Sequence, residues 1–334
     1  MNSSEHTVNI LGLAEAIATQ IEKDIQAGHF DPILKSYCLV PKTDPSKPKT
    51  LLELWDLWVA SLSVSERTLA GHYRYTRSMI TKANPKLLDI TWVSRWALAP
   101  RTFRDRLSII RSCCTWGVTK GYLDTNLYED IKPPKGDKTE VKPFNAEEVL
   151  KILAGFKDRY PHYLPFVYFM FATGCRTSEA IGLTWKSVDF MKNEIIIRDS
   201  LPKDPCGNGY TRVRKETKTG NVRYLNMTVE LRELLLAMRT TGYIYNGLVF
   251  KAPQGGTIDA DNFRERYWIP VLDAQGVPYR KPYTTRHTMA STAIEQGTPV
   301  TGVAYLLGHT DTTMVMKTYG HMINRPNLPD IPIS

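Results

Sequence analysis

Cysteine is scarce in this chain of 334 residues, and its five cysteines are not spaced as the pairs of a disulfide framework. Cys113 and Cys114 are adjacent, while Cys38, Cys175 and Cys206 stand alone. A stapled secreted domain and a cysteine-based zinc motif are therefore not expected. No apolar run approaches the roughly 18 residues of a membrane span. The opening residues, Met1-Asn2-Ser3-Ser4-Glu5-His6, lack the basic and apolar regions of a signal peptide. The expectation is a soluble, cytoplasmic protein with reduced thiols and no membrane partner. Acidic residues are outnumbered, with 34 Asp and Glu against 43 Lys and Arg, a net charge of +9. That balance suits a polyanionic partner. The length suffices for two domains or slightly more.

Set against these absences is a group of chemically able residues in the C-terminal half. Arg176 lies in Gly174-Cys175-Arg176-Thr177-Ser178-Glu179, Lys218 in Thr217-Lys218-Thr219, and Arg286 in Tyr283-Thr284-Thr285-Arg286-His287-Thr288. His309 follows Leu306-Leu307-Gly308, and Tyr319 lies in Lys317-Thr318-Tyr319-Gly320-His321. A phosphodiester under attack gathers negative charge on its non-bridging oxygens, and arginine offers a planar fork of donors that stays charged. Two forks, Arg176 and Arg286, can neutralise that charge without a metal. A departing 5′-alkoxide needs a proton, which Lys218 can give. Tyr319 supplies a hydroxyl nucleophile that conserves the bond energy as a phosphotyrosine, so no cofactor is required. His309 can orient the phosphate or help deprotonate the phenol. Singly, each residue has a plainer reading. Arg176 and Glu179, three apart, make an ordinary helical ion pair, and a buried histidine is more often structural than catalytic.

The wording of these segments resembles the tyrosine recombinase, or phage integrase, family. The family's first arginine box reads approximately Gly-x-Arg-x-Ser-Glu-x-x-x-Leu-x-Trp, and residues 174–185 run from Gly174 through Arg176, Ser178, Glu179 and Leu183 to Trp185, with Asp189 following. The second box runs from Tyr283 through Arg286-His287-Thr288 to Leu307-Gly308-His309 and Tyr319. The resemblance implies catalytic roles for Arg176, Lys218, Arg286, His309 and the nucleophile Tyr319, with Glu179 holding the first arginine. It also implies a site-specific recombinase acting through a 3′-phosphotyrosyl intermediate. Expected partners are double-stranded DNA attachment sites, three further copies in a tetramer, and accessory DNA-bending proteins. The implied setting is the nucleoid of a bacterial or phage-infected cell, and the implied role is integration and excision of a phage or mobile element. One departure stands out: the family usually has histidine where this chain has Tyr283. A phenol can contact phosphate but accepts no proton at neutral pH. His287 and His321 are assigned to packing or surface. Two other readings of the same fold are a non-catalytic sequence-specific DNA-binding protein and a type IB topoisomerase-like relaxing enzyme.

The expected fold is mainly α with a small antiparallel β-sheet. A helical, SAM-like core-binding domain would precede an α+β catalytic domain. Residues 1–48 read as a helix, from Ile17, Ile21 and Ile25, stopped at Gly28 and followed by a Lys/Pro linker. This segment resembles the end of an arm-binding domain. Residues 49–132 read as helices, beginning with a capping box at Thr50 and Glu53 and continuing over 65–81, 86–97 and 100–120. Arg74, Arg77, Arg104 and Arg111 interleave there with aromatics, a pattern that fits phosphate contact or a solvated face over an aromatic core. Residues 133–143 read as a linker, 144–323 as the catalytic domain and 324–334 as a tail whose Leu328, Ile331 and Ile333 dock on a neighbour or fray. Within the catalytic domain, Asn145 and Glu148 suggest a second capping box. Strands are expected at 195–197, 210–217 and 222–227, with Lys218 at the tip of a hairpin. Arg212, Arg214, Lys215 and Arg223 are candidate DNA contacts on those strands.

Overall fold

The computed structural model describes residues 3–32, 34, 36–37, 47–136, 142–204, 211–216, 222–239 and 244–322. The chain forms two compact units, Met1–Ser63 with His72–Gly136 and Val64–Gly71 with Asp137–Ser334. The turns at 207–209 and 219–221, Lys218 and the tail from 324 lie outside the described residues.

The N-terminal unit is helical. α1 (Ser3–Gln26) ends where Gly28 takes a φ of 74°. α2 (Leu51–Ala60) starts with the expected capping box: the Thr50 hydroxyl accepts from the Glu53 amide, and the Glu53 carboxylate accepts from the Thr50 amide. Its apolar spacing buries Leu51, Leu54, Trp55 and Trp58. The helix expected over 65–81 is broken. A single turn, α3 (Glu66–Thr68), and a wide turn with non-helical backbone at Gly71, in the segment Val64–Gly71 that groups with the other unit, precede α4 (Arg74–Ala83). The helix expected over 86–97 is absent as well, and only a 3-10 segment forms at Thr91–Arg95. Lys86 is bridged to Thr50 and the Leu87 amide donates to the Lys49 carbonyl, so this stretch is drawn into extended pairing. Asp89 then accepts from the amide and hydroxyl of Thr91. α5 (Pro100–Thr119) opens with proline, whose missing N–H costs nothing in a first turn. Leu107, Ile110, Cys113 and Cys114 on α5 meet Trp55 and Ile80 in the core of this unit.

The C-terminal unit begins with α6 (Ala146–Arg159), which carries the Asn145–Glu148 capping box. α7 (Leu164–Thr173) is nearly all apolar and is buried among aromatic residues. Gly174, at φ 60°, ends it and throws the chain into α8 (Thr177–Gly182). β1 (Val188–Asp189), β2 (Glu194–Ile197) and β5 (Arg223–Asn226) form one antiparallel sheet in the order β1-β2-β5. β3 (Asp199–Ser200) and β4 (Lys215–Glu216) make a second, two-stranded one. α9 (Val229–Arg239), α10 (Ala260–Phe263), α11 (Ile269–Ala274), α12 (Thr284–Glu295), α13 (Val300–Leu307) and α14 (Thr313–Tyr319) complete the unit. The strand expected at 210–217 shrinks to β4 and a bridge from Arg212 to Lys203. β5 pairs with β2 rather than with β4, because Leu225 opposite Ile195 extends the buried face of the larger sheet. A small satellite core joins Ala290, Ile294, Val303, Leu307, Val315 and Tyr319 from the last three helices.

Candidate active site

β5 reads Arg-Tyr-Leu-Asn, and its period of two places Arg223 on the same buried face as Leu225. Arg223 is 2% exposed and donates to Glu179 Oε2 at 2.6 Å. Glu179 is itself buried and accepts from the Arg176 amide at 2.9 Å and from the Arg176 guanidinium at 2.8 Å. Burial alone would raise the Glu179 carboxyl, but its bonds to Arg223 and Arg176 outweigh burial and hold it below the usual range. Glu179 thus stays charged and fixes one edge of Arg176, while the Arg176 side chain keeps 24% of its surface open. Arg223 is not the DNA-facing strand residue expected from sequence. It is an internal prop for Glu179, closed over by Gly308.

Arg286, on the first turns of α12, is 2% exposed. It donates to the Gly174 carbonyl at 2.9 Å, to the Leu307 carbonyl, and to His309 Nε2 at 3.1 Å. The left-handed corners at Gly174 and Gly308 turn these elements inward around it. Burial lowers the Arg286 pKa and the nearby Arg176 adds to the effect, so two cations share one small site. With Nε2 accepting, neutral His309 carries its proton on Nδ1, which is buried without a hydrogen-bond partner among the described residues. Burial, Arg286 and Arg176 all push the His309 pKa down.

Tyr319, at the end of α14, is 4% exposed, and its hydroxyl lies 2.5 Å from Nδ1 of His287. Burial pushes the phenol well above its ordinary value, although Arg286 pulls the other way. Burial and Arg286 push His287 down. Both groups are held neutral, and in the tautomer with the imidazole proton on Nε2 the phenol donates to Nδ1. Tyr283 stands one turn before His287, 44% exposed, with its ring edge-on to the imidazole at 5.4 Å. His287, assigned above to packing or surface, contacts the Tyr319 hydroxyl, a placement the sequence reading missed. Its spacing of four from Tyr283 put both on one helical face, which is the signal that was available. His321 is exposed, as expected.

The basic residues expected at DNA divide into two groups. Arg74, Arg104 and Lys215 are exposed. Arg77 is exposed too, but is held bidentately by Asp56. Arg214 donates to the Gly182 carbonyl and pairs with Asp199. Two others are corrected to structural roles. Arg111 donates to the carbonyls of Tyr128, Glu129 and Ile131, and Arg212 donates to the Leu201 carbonyl and pairs with Asp259. Among the described residues no group of three His, Cys, Asp or Glu is placed to hold a metal, and no helix is long and apolar enough to cross a membrane.

Residues 142–325 match the phage integrase family. A tyrosine recombinase XerC-like protein of Caldanaerobacter subterraneus subsp. tengcongensis is 30% identical over 311 residues, covering 82% of this chain and 78% of that protein. The Tn1549 transposon integrase, solved with a circular intermediate DNA, superposes with a TM-score of 0.72 at 17% identity, over 84% of this chain and 96% of its own. A lambda integrase, solved as a tetramer bound to a Holliday junction, gives 0.62 at 15% identity, over 96% and 89%. At those identities the solved structures establish the shared fold. The chain belongs to the phage integrase family. It is a tyrosine recombinase, an enzyme that breaks and rejoins DNA strands.

Proposed function

We propose that this recombinase cleaves DNA through Tyr319, forming a 3′-phosphotyrosyl ester and releasing a 5′-hydroxyl. Arg176 and Arg286 neutralise the phosphate in flight, His309 turns its unpartnered Nδ1–H toward a phosphate oxygen, and Lys218 protonates the leaving oxygen. Tyr283 adds a phosphate contact at the exposed rim, and Glu179 with Arg223 aims Arg176. The observation that supports this reading best is the convergence of Arg176, Arg286 and His309 beside the buried Tyr319 hydroxyl. Arg286 bonds His309, feels Arg176 and acts on Tyr319. A paired-cation site beside a phenol suits a phosphodiester, whose charge relieves the repulsion between the two guanidiniums.

The helical segment 49–132 acts as the core DNA-binding domain and residues 144–323 as the catalytic domain. The tetrameric lambda integrase and the Tn1549 integrase support assembly as a tetramer on paired attachment sites, with integration and excision of a mobile element as the outcome. Accessory DNA-bending proteins and a place on the bacterial nucleoid follow from that role.

A nicked suicide substrate tests the reading. Wild type is expected to trap a DNA–protein adduct on a denaturing gel, Tyr283→Phe to retain it and Tyr319→Phe to lose it. Loss confined to Tyr283→Phe would reassign the nucleophile, and specific binding without any wild-type adduct would leave a DNA-binding protein.

A further inference from the structure

Three residues before Arg286, where the family usually carries histidine, this chain has Tyr283, whose phenol lacks the basic ring nitrogen of an imidazole. One turn further along the same face of α12 lies His287. Its ring meets Tyr283 edge-on, and its Nδ1 is 2.5 Å from the Tyr319 hydroxyl. We propose that His287 is the base that takes the Tyr319 proton during strand cleavage, a role Tyr283 cannot fill. The proposal rests on Tyr319 as the nucleophile.

In this step Tyr319 Oη bonds to phosphorus, the bond from phosphorus to the 5′-oxygen breaks, and the phenolic proton passes to His287 Nδ1. The 5′-oxygen leaves with the proton that the reading above assigns to Lys218. On rejoining, the 5′-hydroxyl attacks phosphorus and gives its proton back to Lys218, while the imidazolium returns its proton to the departing phenolate oxygen. The contact is already at hydrogen-bond distance, which is the geometric requirement for a general base. Burial and the Arg286 charge both disfavour the imidazolium, and the tautomer protonated on Nε2 presents Nδ1 to the phenol as an acceptor. A bound phosphodiester would compensate Arg286 and make His287 more basic as the substrate arrives. Proton transfer is thereby tied to an occupied site.

Among the described residues, the charged and titratable groups around His287 are few. Arg286 precedes it on α12, and Tyr283 and Tyr319 touch its ring. The elements packed against α12 otherwise carry Tyr168 on α7, Tyr305 on α13, Lys317 on α14 and the exposed His321 just beyond. None of these is a carboxylate, and the one on α12 itself, Glu295, lies about two turns beyond His287 at the far end of the helix.

The experiment is single-turnover adduct formation on the nicked substrate from about pH 5 to pH 8.5, with wild type, His287→Asn and His287→Gln. Asparagine places an amide acceptor near the Nδ1 position but takes no proton. Wild-type rates are expected to rise from acid and then level off. His287→Asn should bind the same DNA equally, form adduct roughly 100-fold or more slowly, and lose that plateau. Wild-type rate and profile in His287→Asn would overturn the proposal. So would a slow variant that keeps the wild-type profile, which would leave His287 only a positioning residue. If the asparagine variant does not fold, His287→Ala with added imidazole decides: restored adduct supports the base role, and no restoration overturns it. An adduct persisting in Tyr319→Phe would instead sink the nucleophile reading.

Discussion

Glu179 shows how one buried carboxylate can organise two guanidiniums that would otherwise repel. It is 2% exposed and bonds both Arg223, which is equally buried, and the partly open Arg176. Removing one partner of a buried ion pair leaves the other uncompensated, at a cost of about 3–5 kcal/mol. Glu179→Ala should therefore lower urea-unfolding stability by that order and reduce adduct formation as Arg176 loses its aim. A much smaller loss would mean that Arg223 finds water or another partner. The two site histidines carry a pH dependence. Both His287 and His309 are held below the ordinary value of 6.5, so the folded form is neutral where the unfolded chain binds protons. Their contribution to stability is present above about pH 6.5 and is lost as pH falls through that value toward the depressed folded-state values. Thermal unfolding followed from pH 8 to pH 5 should show the melting temperature falling over this window. The fall should flatten in a His287→Asn, His309→Asn variant.

At the scale of elements, caps and glycine corners decide where side chains point. Gly308 ends α13 at φ 64°, and a Cβ there would stand 2.7 Å from the Arg223 guanidinium. Gly308→Ala therefore combines a left-handed strain of about 1–2 kcal/mol with a push on the residue that props Glu179. The expected outcome is lower stability together with slower cleavage, read by chemical denaturation and by the adduct assay. Both capping boxes were legible from sequence because their hydrogen bonds span three residues. The bend at Gly71 and the short turn at Thr91–Arg95 were not. The latter depends on pairing between Lys86 and Thr50, which neighbouring residues do not encode. The partner of β5 was misread for the same reason: a hairpin between adjacent strands is local, whereas joining β2 follows from burying Leu225 against Ile195.

Across the whole molecule the net charge of +9 foretells salt-sensitive DNA binding, but the structure divides the cations into those still available and those spent. Arg104 and Lys215 are exposed, whereas Arg111 satisfies three backbone carbonyls. Neutralising Arg104 or Lys215 should lower the slope of log affinity against log salt by about one for each phosphate that the protein no longer neutralises. Arg111→Gln should act mainly on folding of the N-terminal unit, leaving carbonyls without donors. Binding titrations at several salt concentrations, paired with melting curves, separate the two outcomes.

The sequence by itself determined the family, the α-rich class with a small sheet, both capping boxes and the positions of Arg176, Arg286, His309 and Tyr319. Each is written in residue type and short-range spacing, the scale on which helical and capping hydrogen bonds operate. Only the tertiary structure decided that Arg223 is a buried prop, that Arg111 and Arg212 are spent inside the protein, and that His287 holds the Tyr319 hydroxyl. Those facts depend on contacts between residues far apart in the chain. Burial removes water there, and a side chain must take whatever partner the packing places within reach.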